Sequence, residues 1–168
     1  MKDIYRFNII LIGAVYVLLL FFITSCEQEE AVVELNTAPG GGTVSTYKAY
    51  SLDAVTEDDV YGRIVFYKDN SNYTLVQVSL YNTDSEADYI TTLFSGSSEV
   101  ENPAELLDLY TVDGETGEFS PSKFYVIKDK TFFDGLTEYD AHLKIMVAET
   151  LVSIGNLGKN ATPVAEGD

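Results

Sequence analysis

Apolar and polar side chains alternate with a period of two residues through most of this 168-residue chain. The alternation is clearest over residues 73–82, where Val76, Val78 and Leu80 point to one side and the residues between them to the other. This period is typical of strands with one buried face. Outside an apolar run near the N-terminus, no segment keeps the period of about 3.6 residues that an amphipathic helix shows. The pattern therefore predicts an all-β fold.

Turn residues divide the alternating pattern into about seven or eight short strands. The clearest predicted strands are residues 45–52, 62–68, 73–82, 89–94, 119–127, 141–148 and 151–157. Two segments are ambiguous: residues 106–112 follow Pro103, which suits the first position of a helical turn, and residues 131–139 hold a short helix or a loop. Short strands with frequent turns are typical of an antiparallel sandwich or barrel.

The N-terminus has the order of a bacterial lipoprotein signal peptide. Lys2 and Arg6 precede an apolar run at residues 9–23, and small residues lead to Cys26, the only cysteine. As a helix this run covers roughly 22 Å, whereas a hydrocarbon core needs about 30 Å. We predict a signal peptide at residues 1–25 and lipidation, as by palmitate, at Cys26. The alternative is an uncleaved anchor with a chance cysteine.

Composition divides the rest of the chain into three parts. Residues 26–42 are acidic and then glycine-rich, which predicts a tether. Their first acidic residues, 27–30, resemble the surface-export signal of Bacteroidota lipoproteins, and the alternative is a solvated charged leader. Residues 43–159 have the size of one domain. Residues 160–168 lack an apolar pattern, which predicts a flexible tail.

The charge of the chain excludes one class of partner. Ten basic and 27 acidic residues give a net charge of −17, and removal of the signal peptide leaves about −18. Nucleic acid is excluded as a natural partner, because its phosphates require a basic surface. We expect attachment to the outer membrane through the lipid, with the domain in the periplasm or at the cell surface.

Four motifs resemble, in order, the CHRD-type domains of bacterial lipoproteins. They are GRIVF at residues 62–66, LDLYTVDGETG at 107–117, YDAHLKIMV at 139–147 and LVSIGNLG at 151–158. The resemblance implies an immunoglobulin-like, Greek-key β-sandwich similar to copper–zinc superoxide dismutase. That family carries mid-chain histidines and another in the penultimate strand, where this chain has Met146. The resemblance therefore implies the fold without the histidine chemistry.

Residues that carry chemistry are few. His142 is the only histidine, and the alternation predicts that it points outward with Lys144 while Leu143 and Ile145 point inward. One histidine cannot supply a transition-metal site, and no nucleophile motif accompanies it. We predict no catalytic residue and no cofactor, so the protein is not an enzyme. A hydrolase that uses two carboxylates is the alternative.

Calcium is the most credible ion for the acidic loops. Asp84, Glu86 and Asp88 place carboxylates at alternate positions, and residues 57–59 form a second acidic cluster. Calcium binds six to eight oxygen ligands, often from such loops. The alternative is a charged, solvated loop without a ligand.

Tyrosines give a candidate binding face. Tyr67, Tyr73 and Tyr81 are predicted to share the outer face of one hairpin, where they would contact a glycan or an envelope protein. The alternative is that they reflect strand propensity alone. We therefore expect a lipid-anchored lipoprotein whose non-catalytic domain has a binding or structural role. The alternatives are a calcium-stabilised adhesion module and a degenerate superoxide-dismutase-like protein.

Overall fold

The structure, a computed structural model, describes residues 44–57 and 60–167. Within these ranges, eleven β-strands pair into one antiparallel sheet, and helical structure is restricted to two short turns. The prediction of an all-β fold is confirmed. The predicted signal peptide, the lipidation site Cys26 and the tether at residues 26–42 lie outside the described residues.

Six of these strands have eight or nine residues, and five have two to four. In chain order they are β1 (Tyr47–Ala54), β2 (Tyr61–Lys68), β3 (Thr74–Tyr81), β4 (Asp88–Ser95), β5 (Glu105–Asp108), β6 (Val112–Asp113), β7 (Glu118–Phe119), β8 (Tyr125–Ile127), β9 (Asp140–Val147), β10 (Thr150–Gly158) and β11 (Ala165–Gly167). Helix α1 (Phe132–Gly135) and a 3-10 turn (Leu136–Glu138) lie between β8 and β9. The ambiguous segment at residues 131–139 is therefore helical.

The short strands replace two longer predicted segments. Residues 106–112 were compatible with one strand or a helical turn, and they contribute to β5 and β6 instead. The strand predicted at residues 119–127, with an edge or a break early in it at Pro121, is interrupted, because β7 ends at Phe119 and β8 begins at Tyr125. Pro121 lies in the connection, where its missing N–H breaks no ladder hydrogen bond.

Long-range pairing sets the strand order. The sheet runs β7-β6-β4-β9-β10-β1-β2-β3-β8, with β5 also paired to β4 and β11 also paired to β1. The N–H of Leu80, in β3, donates to the carbonyl oxygen of Gly117 at 2.8 Å, immediately before β7. Since β7 is at one end of the order and β3 lies next to the other end, the sheet curls around its inner face.

Gly117 has a conformation that permits this closing contact. Its φ is +68°, in the left-handed region that glycine adopts at little cost. A Cβ at this position would collide with the carbonyl oxygen of Leu80. The hydrogen bond that joins β3 to the residue before β7 therefore requires a glycine at position 117.

The inner face of the curled sheet carries the hydrophobic core. Val76, Val78 and Leu80 of β3 are at most 4% exposed, and Leu143 and Ile145 of β9 are fully buried. Burying such a side chain contributes about 1.5–3 kcal/mol to the free energy of unfolding. The inward orientation predicted for these five residues is confirmed.

The end of the chain departs from the prediction of a flexible tail at residues 160–168. Residues of β11 pair with Tyr47, Lys48 and Ala49 of β1. Just before it, the N–H of Val164 donates to the carbonyl oxygen of Ala49 at 2.7 Å. The physical reason is an open edge. β10 pairs only with the last two residues of β1, Asp53 and Ala54, so the first half of β1 has an edge that needs another partner.

Candidate functional site

A surface groove lies on the outer face of β1 and β2. Three cross-strand pairs lie along it: Tyr47 with Tyr67, Ala49 with Val65, and Ser51 with Arg63, and all of these residues except Ser51 line the groove. Because side chains alternate along a strand, all six are on the same face of the sheet. Ala49 and Val65 are small and form the floor between larger residues at both ends. The result is a groove of about 280 Å³.

Two other segments complete the walls of the groove. Val44 and Ser45 precede β1, and Ala165 belongs to β11, which lies beside β1. The strand at residues 165–167 therefore has a local consequence, because it supplies one side of this groove. A prediction that treats these residues as a flexible tail cannot find the groove.

One end of the groove is a fixed aromatic wall. The rings of Tyr47 and Tyr67 are 6.0 Å apart, and Tyr67 also packs edge-on against Phe124 at 5.7 Å. The Tyr67 hydroxyl donates to Oε1 of Gln77 at 3.3 Å. These contacts fix the Tyr67 ring before any ligand binds, which lowers the entropic cost of binding.

The Tyr67 hydroxyl stays protonated in this setting. Burial raises the pKa of Tyr67 above its ordinary value of 10.0, and the charge of Tyr47 acts in the same direction. The positive charge of Arg63 lowers the same pKa but does not cancel the effect of burial. The neutral hydroxyl therefore keeps the proton that it donates to Gln77 and can still accept a hydrogen bond near neutral pH.

The other end of the groove carries Arg63. Its side chain is exposed, and it is the only arginine among the residues that the structure describes. The ion pairs of those residues all use lysines, which are Lys48 with Glu166, Lys68 with Asp134, and Lys159 with Asp140. No acidic residue lines the groove in the described ranges. The Arg63 guanidinium therefore faces the groove side of the sheet without a carboxylate partner.

The three tyrosines predicted as a binding face do not converge. Tyr67 pairs with Leu75 across β2 and β3, whereas Tyr81 pairs with Tyr61 at the far end of the same strands. Six residues of strand separate the two positions, which is roughly 20 Å. Tyr73 precedes β3 and is half-buried. Tyr67 and Tyr81 share the outer face, but Tyr67 packs against Tyr47.

The calcium candidates are not brought together either. The backbone N–H of Glu86 donates to Oδ1 of Asp84 at 3.0 Å, so this carboxylate caps its own turn. Asp88 lies in β4 and pairs with Asp113. In the described ranges, no group of three or more acidic, histidine or cysteine side chains is placed to hold a metal ion. The structure thus does not form the predicted site from Asp84, Glu86 and Asp88.

His142 corrects another expectation. It lies on the outer face of β9 as predicted, yet it is completely buried rather than exposed. Phe94 of β4 and the residues after β4 cover it: the His142 ring stacks on Phe94 with centroids 5.7 Å apart, and its Nδ1 is 2.9 Å from the carbonyl oxygen of Gly96. Ser98 fixes this cover by donating its N–H to Oδ1 of Asn156 at 2.7 Å.

The chemical state of His142 follows from these contacts. Burial lowers its pKa below the ordinary value of 6.5, and the charge of Lys144 contributes in the same direction, against the hydrogen bond to Gly96. The imidazole is therefore neutral near pH 7, with its proton on Nδ1 because a carbonyl oxygen accepts there. Nε2 is buried and has no hydrogen-bond partner in the part of the chain that the structure describes. His142 is thus a neutral, buried residue of the fold and not an exposed one.

A second groove, of about 350 Å³, lies at one end of the curled sheet. Its lining is Val60, Asn82, Asp84, Ala87, Tyr89, Val147, Thr150 and Val152. Most of these side chains are apolar. The hydroxyl of Tyr89 already accepts a hydrogen bond from the Asp84 N–H at 2.7 Å. The groove on β1 and β2 is the stronger candidate, because it combines a fixed aromatic wall with an arginine that has no carboxylate partner among the described residues.

Comparisons with protein-family models, with curated proteins and with solved structures found no match to this chain. In the part of the chain that the structure describes, no helix is both long and apolar enough to cross a membrane. The fold and the site define a class by themselves: a curled antiparallel β domain that carries a groove between a tyrosine pair and an arginine.

The sequence alone singled out Tyr67 but not Tyr47 or Arg63. The missing information was the register between β1 and β2, which places Tyr47 opposite Tyr67 and Arg63 two pairs further along. One signal was present in the sequence: Ala49 is the smallest outward residue of its strand and lies between Tyr47 and Ser51. Such a gap in a row of larger side chains marks the floor of a groove once the pairing is known.

Proposed function

We propose that this chain is a lipid-anchored lipoprotein of the outer membrane whose domain binds a glycan, or a group that projects from an envelope protein, in the groove on β1 and β2. The observation that carries the proposal is the pairing of a fixed wall, Tyr47 and Tyr67, with Arg63 at the opposite end. Tyrosine and arginine are the residue types that most often dominate binding energies at recognition sites.

The lining of the groove supports recognition rather than catalysis. Tyr47 and Tyr67 offer aromatic faces and hydroxyls, and Ser45 adds a further hydroxyl. Arg63 offers up to five N–H donors in a planar, positively charged guanidinium. These groups bind by stacking and hydrogen bonding. The volume of about 280 Å³ is near the lower limit of ligand pockets, about 300 Å³, so the groove suits a single ring or side chain.

The location in the proposal rests on the N-terminal sequence. The apolar run and Cys26 support acylation, and the acidic residues that follow support export to the surface. The resemblance to CHRD-type domains, with their Greek-key sandwich, stays a prediction. Labelling of cells with radioactive palmitate tests the anchor: the label should enter the chain but not a Cys26→Ser variant. Equal labelling of both, or labelling of neither, contradicts the anchor.

The groove can be tested separately from the anchor. The full chain, purified in detergent, is titrated with a panel of neutral and acidic oligosaccharides and with detergent-solubilised envelope proteins. We expect at least one of them to bind and Tyr47→Ala to weaken that binding by about tenfold or more. Tyr81→Ala is the matched control, because it removes the same atoms from the far end of the same sheet face.

Two results contradict the binding function. One is that the panel yields no binding, and the other is that Tyr47→Ala binds as tightly as the unmodified chain. Both variants should retain the circular dichroism spectrum and unfolding midpoint of the parent chain within a few degrees. This check separates a lost contact from a lost fold.

A further inference from the structure

The neighbours of Arg63 leave its guanidinium available to a ligand. Arg63 pairs with Ser51 of β1 and with Ser79 of β3, both small and uncharged. None of the described carboxylates forms an ion pair with it. The planar guanidinium matches a carboxylate through two parallel N–H···O bonds, and it does so better than a lysine ammonium. The chemistry at this end of the groove therefore selects a carboxylate.

The dimensions of the groove restrict the size of the ligand. From the Tyr47 pair to the Arg63 pair is four residues along β1, or about 13 Å of strand. The groove volume of about 280 Å³ suits a single ring that carries a carboxylate. A sugar ring presents C–H groups on its faces and hydroxyls at its edge, which complements a tyrosine that is apolar in the body and polar at the tip.

The floor of the groove excludes an extended peptide. Peptides that add to a sheet gain most of their affinity from main-chain hydrogen bonds. Here the backbone of Ala49 and Val65 is already used, because β1 pairs with β2 and the Ala49 carbonyl oxygen accepts the N–H of Val164 at 2.7 Å. The ligand must therefore bind through side chains alone, as a compact ring does.

The charge of the whole chain restricts the ligand further. At a net charge of −17, the protein repels anions that come within about one Debye length of its surface, which is about 8 Å in physiological salt. A densely sulfated polymer would meet this repulsion at every residue. A saccharide with one carboxylate per ring meets less of it and still has the single anion that one arginine can pair.

We propose that the groove binds a uronic acid residue of an acidic polysaccharide, with its carboxylate on Arg63 and its ring against Tyr47 and Tyr67. This inference rests on the proposed binding function and adds the chemical class of the ligand. It assigns separate roles to the two ends of the groove, since Arg63 selects the anion and the tyrosines select the ring.

The test compares an acid with its ester. The full chain in detergent is titrated by calorimetry with oligosaccharides of galacturonate, mannuronate and glucuronate, and with their methyl esters, which keep the ring and remove the charge. We expect at least one acid to bind, and its ester to bind about tenfold or more weakly. Arg63→Gln should cause a similar loss, Arg63→Lys a smaller one, and the exposed control Lys128→Gln none.

Each outcome decides between this inference and the function on which it rests. If neutral glycans bind, Tyr47→Ala abolishes that binding and Arg63→Gln does not, the groove is a binding site but the uronate assignment fails. The assignment fails in the same way if an acidic peptide binds more tightly than every uronate. If a uronate binds equally well to Arg63→Gln and to Tyr47→Ala, the site lies elsewhere and both proposals fail.

Discussion

Acidification should destabilise this domain through one residue, His142. It is the only histidine of the chain, it is fully buried, and its Nε2 has no hydrogen-bond partner. Protonation would place a second N–H and a positive charge in this buried site. Among the described residues, the titratable group that acts on it through its charge is Lys144, which is itself positive, and the Gly96 carbonyl already accepts from Nδ1.

The sign of the effect follows from linkage. Burial lowers the pKa of His142 in the folded state below the value of 6.5 that an unperturbed histidine has. As pH falls through 6.5, the unfolded chain therefore binds more protons than the folded one, and the free energy of unfolding decreases. The slope has an upper limit of about 1.4 kcal/mol per pH unit for one proton. Above the unfolded pKa, His142 does not change the stability with pH.

Other groups with shifted pKa values act in a different pH range. Hydrogen bonds from Thr131 lower the pKa of Asp129, and hydrogen bonds from Lys159 and Asn160 lower that of Asp140. Their ordinary value is 3.8, so the stability that these carboxylates contribute is present above it and is lost only as pH falls below it. Between about pH 6.5 and pH 5, the change in stability should therefore come from His142.

Urea unfolding at several pH values between about pH 7.5 and pH 5 measures this effect. We expect the free energy of unfolding of the unmodified chain to decrease over this range and that of His142→Leu to stay nearly constant. At about pH 7.5 the two should differ by less than about 2 kcal/mol, because leucine leaves the Gly96 carbonyl unpaired but also removes the unpaired Nε2. The ring proton resonance of His142 reports its pKa directly.

Two results would refute the reasoning. The first is an imidazole that titrates at or above 6.5, because burial would then have no net effect on its charge. The second is a free energy of unfolding that decreases equally in the unmodified chain and in His142→Leu, because the loss would then belong to other groups.

Two further predictions concern the ends of the strand order and of the chain. Gly117→Ala should lower the free energy of unfolding, measured in urea titrations, by about 2 kcal/mol or more, because residue 117 has a left-handed φ of +68° and a Cβ there would collide with Leu80. The control, Gly135→Ala, should be neutral or slightly stabilising, because no atom lies close to a Cβ at that position. Equal effects would contradict the closing role of Gly117. Ending the chain after Pro163 removes β11, which pairs with residues 47–49. Amide hydrogen exchange in residues 47–49 should therefore accelerate, while exchange in β9 should not change. Unchanged exchange in residues 47–49 would show that β11 does not protect this edge.

The alternation of side chains predicted the inner faces of the long strands correctly, because the period of a strand is fixed by its backbone geometry. Val76, Val78 and Leu80 are buried together for this reason alone. The same argument placed His142 on the outer face and was right about the face. It was wrong about exposure, because residues 96–98 cover that face, and no period within β9 reports a contact made by a distant loop.

The groove and the last strand required tertiary information of another kind. β11 has three residues and no apolar pattern, and it forms because the first half of β1 lacks a partner on that side. Arg63 looks like an ordinary exposed residue of an alternating strand. Its availability to a ligand depends on the residues around it, because its cross-strand neighbours are Ser51 and Ser79 and not carboxylates.

The wall that Ala165 contributes makes the groove dependent on the far end of the polypeptide. A ligand that contacts this wall binds only to molecules in which β11 is paired with β1. Ligand binding and the pairing of β11 are therefore thermodynamically linked. Saturation with ligand should then slow deuterium uptake at residues 165–167, several strands away in the chain from Arg63. The C-terminal strand would thereby serve as a built-in reporter, read by mass spectrometry, of whether the groove is filled.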